Sequence, residues 1–123
     1  MDYTLMHTVV ELPHYRKRAE HLLSASERED IIRCLADSPT SGDLIRETGG
    51  VRKLRWKRGG SGKSGGVRVI YFYHNEGIPL FLLTVYGKNE QDNLTKAQKH
   101  EMRKVTEALV KQAQRQQKQQ HTR

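Results

Sequence analysis

The sequence predicts an α+β domain, a small and mostly antiparallel sheet packed with helices in the order β-α-α-β-β-β-α. Two observations carry this. Three strand-like runs follow one another between residues 51 and 86, and stretches with helical spacing flank them on both sides. The 123 residues suffice for one hydrophobic core but not two, and the low hydrophobic content of 35% implies a small one. Residues 1–112 are read as a single domain. Residues 113–123 form a polar C-terminal tail expected to be frayed or disordered, because Gln114 to Arg123 offers no apolar residue to bury.

Tyr3–Glu11, rich in β-branched and aromatic residues, is the first strand. Pro13 suits a first helical position, and His14–Leu23 follows with Tyr15, Ala19, Leu22 and Leu23 on its apolar side. Ser26 and Glu29 are spaced as a capping box for a second helix, whose buried stripe is Ile31, Ile32, Leu35 and Ala36. Pro39 ends it, and a loop runs to Gly50. The next strands are Val51–Arg58, Val67–His74 and Pro79–Tyr86. A glycine-serine loop, Gly59–Gly66, separates the first two, and Asn75-Glu76-Gly77 turns between the others. FLLTVY is the most hydrophobic run and is expected at the sheet's centre. Thr95 and Gln98 cap a last helix, Lys96–Gln112, with Met102, Val105, Ala108 and Leu109 on one side.

Charge concentrates in one place. The chain carries 22 Lys+Arg against 14 Asp+Glu, a net charge of +8. Between Gly49 and His74 stand Arg52, Lys53, Arg55, Lys57, Arg58, Lys63 and Arg68, with no acid among them. Such a run suits a polyanion, since each neutralised phosphate releases condensed counterions. Strand alternation puts Lys53, Arg55 and Lys57 on one face, about 6–7 Å apart, while Leu54 and Trp56 point to the other, with Arg52 and Arg58. An edge strand guarded by lysines would look similar. The second basic strand, led by Arg68, tilts the reading toward a polyanion site.

Other motifs weigh less. Gly60-Ser61-Gly62-Lys63-Ser64 suggests a P-loop, but Lys57 stands where the motif needs its first glycine, and a strand rather than a helix follows. The six histidines are scattered without cysteine partners, so no metal or other cofactor is expected. His74 shares a strand face with Arg68 and could reach the basic surface. Cys34, the single cysteine, reads as a small buried hydrophobe and fits a reducing compartment. With neither a signal peptide nor a membrane span in view, the expected location is cytoplasmic, with no membrane partner.

The order of these motifs resembles a known family. GGVRKLR, a GSGKSGG loop, RVIYFY, LLTVYGKNE and DNLT are similar to the HigB branch of the RelE-like toxins of type II toxin–antitoxin systems, over about Leu44 to Val110. The resemblance implies the RelE-like fold and a metal-independent mRNA endonuclease, or mRNA interferase, that acts on messages at the ribosome. In that chemistry the RNA 2′-hydroxyl attacks the adjacent phosphate, leaving a 2′,3′-cyclic phosphate and a free 5′-hydroxyl. A proton acceptor, a proton donor and positive charge on the phosphorane are required. It further implies inhibition by a cognate antitoxin with a helix-turn-helix DNA-binding domain.

Carried over by position, the family's basic residues fall on Lys53, Arg55 and Lys57, on Arg68 and near Lys88. The expected catalytic set is Lys53, Arg55, Arg68, Tyr86 and Lys88, with Arg52, Lys57, Arg58, Lys63 and His74 as RNA-binding residues. Arg68 and Arg55 are expected to clamp phosphate. Lys53 is the expected base, since neighbouring cations favour its neutral form, and Lys88 or Tyr86 the acid. Some relatives use a carboxylate with a histidine. The acid-free basic run places this chain with those using lysine, arginine and tyrosine. Asn89 stands where some relatives carry an arginine. Two other classes compete: a non-catalytic RNA- or ribosome-binding module on the same basic sheet, and a docking patch for an acidic protein.

Overall fold

The computed structural model describes residues 6–58 and 66–121. Its elements are β1 (Val9–Glu11), α1 (Pro13–Leu22), α2 (Ala25–Asp37), β2 (Asp43–Leu44), β3 (Val51–Trp56), β4 (Val67–Phe72), β5 (Leu80–Gly87) and α3 (Lys96–His121). The fold is α+β as expected, with β2 added from the segment read as a loop. No helix among the described residues is long and apolar enough to cross a membrane.

The five strands lie in the order β1-β5-β4-β3-β2. Neighbours pair antiparallel except β1, which runs parallel to β5 with Val9 opposite Leu80. The FLLTVY strand is therefore interior, but the middle position belongs to β4. Every β4 side chain is buried, as befits a strand covered on both faces.

One face packs against α1 and α2. Tyr15, Ala19, Leu23, Ile31 and Leu35 meet Val67, Val69, Tyr71, Leu80, Leu82 and Val85 there, with Leu54 and Trp56 at the margin. On the opposite face Val51, Ile70, Phe72 and Leu83 pack with Leu94, and Met102, Leu109 and Val110 of α3 lean on them. Since α3 crosses only part of this face, the rest is open to polar side chains.

Several boundaries differ from the sequence reading. The capping box of α2 is Ser24 with Glu27, not Ser26 with Glu29: Ser24 Oγ accepts from Glu27 N and the Glu27 carboxylate accepts from Ser24 N. Both pairs have the right spacing, and Pro13–Leu22 ends early enough for the first to be used. On α3 the inward stripe is Met102, Thr106, Leu109 and Val110, while Val105 and Ala108 are exposed. The rotation follows from Thr106, whose hydroxyl donates to the Thr48 carbonyl at 3.1 Å and draws the helix against the 48–50 turn. The backbone of α3 stays helical past Gln112 to His121.

Candidate functional site

Cross-strand register builds the site. Arg55 on β3 lies opposite Arg68 on β4, and Arg68 lies opposite Tyr86 on β5, so the three occupy one row across the sheet. Directly opposed residues share a face. Lys53 stands in the adjacent row, opposite Ile70. This is the face partly covered by α3, at the end that helix leaves open.

Arg68 is nearly buried, with 6% of its side chain exposed. Its Nε donates to Asp92 Oδ1 at 3.2 Å and its Nη1 to the Val67 carbonyl. Arg55 is exposed and pairs with Asp43 at 2.9 Å. That solvent-facing bridge contributes little and yields readily to a competing anion.

The segment after β5 completes the arrangement. It turns at Gly87–Glu90 and returns over the open face. Lys53 Nζ donates to Asn93 Oδ1 at 2.9 Å and to the Asp92 carbonyl at 3.3 Å, and the Tyr86 hydroxyl donates to the same carbonyl at 3.4 Å. Leu94 then enters the core, and the Thr95–Gln98 capping box starts α3. The predicted box is present. Burial pushes the Tyr86 phenol up, the Asp92 charge adds to this, and Arg68 and a hydrogen bond with Gln91 oppose it. At neutral pH Tyr86 is therefore a proton carrier able to donate. Lysine, arginine and a protonated phenol on one face of the sheet can hold a phosphate, neutralise charge developing on it and move protons at its oxygens.

Four of the five residues expected in the catalytic set thus stand together: Lys53, Arg55, Arg68 and Tyr86. Lys88 lies just beyond, exposed in the turn, with its backbone N–H bonded to the Gly66 carbonyl at 3.1 Å. The residues expected to bind RNA scatter. Lys57 is exposed past the end of β3. Arg52 serves the other side, its Nη1 donating to the carbonyls of Thr40 and Gly42. Arg58 reaches the Leu22 carbonyl at the end of α1. His74 lies beyond the far end of β4, against Phe72 and a cleft of about 300 Å³ lined by Gly49, Thr106 and Val110, so most of the length of β4 separates it from Arg68. Lys63 falls outside the described residues.

Asp92 and Asn93 are the residues that sequence reasoning missed. The basic run has no acid, yet the fold delivers a carboxylate to it from another segment. In the sequence, DNLT is one of the motifs that carry the resemblance and Asn93-Leu94-Thr95 reads as the start of a helix, but no local spacing signals that Asp92 meets Arg68. Among the described residues, no three His, Cys, Asp or Glu side chains group as metal ligands.

Residues 40–122 match the family model described as the RelE toxin of the RelE / RelB toxin–antitoxin system. The chain belongs to the RelE toxin family. Membership makes it the toxin component of a toxin–antitoxin system. Among solved structures, a mutant of the E. coli toxin RelE in the free state superposes with a TM-score of 0.52. It is 16% identical, and the match covers 71% of this chain and 88% of that one. At that identity the likeness shows the RelE-like fold.

Proposed function

We propose that this RelE-family toxin is of the HigB type and cleaves mRNA on the ribosome through the Lys53–Arg55–Arg68–Tyr86 face. The observation that carries this reading is the row Arg55, Arg68, Tyr86 across three strands, with Lys53 alongside. Arg68 and Arg55 hold the scissile phosphate and neutralise the charge that develops on it. Arg68 is fixed by burial while Asp92 is half-exposed, so the incoming phosphate displaces the Asp92 carboxylate from Arg68. Lys53 serves as the base that accepts the proton of the 2′-hydroxyl. That oxygen attacks phosphorus, the P–O5′ bond breaks, and Tyr86 or Lys88 protonates the departing 5′-oxygen. The products are a 2′,3′-cyclic phosphate and a 5′-hydroxyl. The partners are mRNA and a helix-turn-helix antitoxin, and the setting is the cytoplasm.

The test is induced expression of wild type beside Arg68→Ala, with mapping of message 5′ ends. New 5′-hydroxyl ends inside coding regions are expected in the wild type. Losing a pre-positioned charge at the transition state lowers cleavage by about 10²–10³-fold. Unchanged message ends in both strains, with folded protein present, would refute the nuclease reading and leave a basic RNA-binding surface.

A further inference from the structure

The segment that contacts Lys53 and Arg68 is held from the opposite layer of the molecule. Among the described residues β1 pairs with β5 only along Leu80–Leu82, and none of them gives the later part of β5 a strand neighbour on that side. Arg18 of α1 reaches past the end of this pairing. Its Nε donates to the Val85 carbonyl at 3.0 Å, and its Nη2 meets both carboxylate oxygens of Glu90 at 2.7 Å. Glu90 Oε1 also accepts from Gly87 N at 2.9 Å, while Glu90 N donates to the Gly87 carbonyl. Arg18 and Glu90 therefore tie to α1 the turn from which Asp92 and Asn93 depart, a turn that the Lys88 N–H bond to the Gly66 carbonyl and the Arg58 charge near Glu90 also help to hold.

We propose that the Arg18–Glu90 pair is a positioning device for catalysis, holding the 87–93 segment so that Asn93 and the Asp92 carbonyl orient Lys53. Neither residue is among those facing the proposed scissile phosphate. Glu90 lies two residues from Asp92, and Arg18 approaches from the layer of α1. With Glu90 anchored, the Asp92 side chain can give way to a phosphate while the backbone that holds Lys53 stays in place. Without the anchor the segment shifts as a whole. Misplacement by about 1 Å costs up to about a hundredfold in rate. The proposal rests on the ribonuclease reading above.

Glu90→Gln retains an acceptor for Gly87 N and removes the ion pair, so it is the milder variant. Arg18→Gln removes both Arg18 contacts. Cleavage of a message on programmed ribosomes is expected to slow about ten- to a hundredfold in each, with KM moving by less than about twofold. The double variant should be no slower than the slower single, because the two residues act as one unit. Glu101→Gln, which removes an exposed acid near the start of α3, is the control and should cleave like wild type. A single variant at wild-type rate, or a double variant equal to the product of the singles, would overturn the proposal. If the wild type does not cleave, the ribonuclease reading fails by itself, and the device is then judged on the protein alone. The Asn93 side-chain amide resonance and the exchange rates of the Glu90 and Gln91 amides should change in both variants. Unchanged resonances and exchange would overturn it.

Discussion

Two tyrosines with no exposed surface should respond in opposite ways to the same substitution. The Tyr71 hydroxyl donates to the Pro39 carbonyl at 2.8 Å and accepts from Gly42 N at 2.9 Å. These bonds hold the segment that leads into β2 and so to Asp43, the partner of Arg55. The Tyr15 hydroxyl, equally buried, has no hydrogen-bond partner among the described residues. Tyr71→Phe leaves a buried carbonyl and a buried N–H unpaired, at about 1–3 kcal/mol each, so about 3 kcal/mol is expected for the variant. With about 2.1 cal/mol/K of unfolding entropy per residue over 123 residues, that lowers Tm by about 12 °C. Tyr15→Phe removes a hydroxyl with no hydrogen-bond partner among the described residues, so stability should stay within about 0.5 kcal/mol or rise slightly. Urea unfolding followed by circular dichroism and by the fluorescence of Trp56 measures both. Variants that fall within about 1 kcal/mol of each other would refute this hydrogen-bond reasoning. The same contrast extends to alkaline pH. Burial, and then Glu11, push the Tyr15 phenol up to about 12 from 10.0. The unfolded chain thus releases this proton first, and the contribution is complete below about pH 10 and lost as pH rises toward 12. Tyr15→Phe should flatten that decline.

Two further outcomes are expected. Gly66 sits at φ +60, and a Cβ there would run into the Trp56 carbonyl. Gly66→Ala should therefore cost about 2–3 kcal/mol in urea unfolding and loosen the Gly66–Lys88 contact, whereas a variant as stable as wild type would refute it. The Glu90 carboxyl is held below its ordinary value chiefly by the Arg18 hydrogen bond and then by Gly87 N–H. Its contribution is thus present above the unfolded value of about 4.5 and lost as pH falls through the lower folded value. The Tm difference between wild type and Glu90→Gln should be clear at pH 7 and shrink steadily on acidification below about pH 4.5. A difference independent of pH would count against the ion pair as its source.

What the sequence determined by itself was local. Alternation along residues 51–56 assigned Lys53 and Arg55 to one face and Leu54 and Trp56 to the other, because a strand's side chains have a period of two. Helical spacing found the buried stripes of α1 and α2, and Thr95–Gln98 marked the start of α3. Where two local solutions were equivalent, as with the Ser24–Glu27 and Ser26–Glu29 boxes, only the length of the preceding helix chose between them. The neighbours that make the site are non-local. That Arg68 lies between Arg55 and Tyr86 depends on strand register, and that Asp92 reaches Arg68 depends on how the segment after β5 folds back. Arg52 and Arg58 belong to the same basic run, yet alternation turns them to the other face, where they bond to the Thr40, Gly42 and Leu22 carbonyls. Charge and periodicity are properties of single positions along the chain and can be read there. Which anion faces which cation is settled only when packing brings distant segments together.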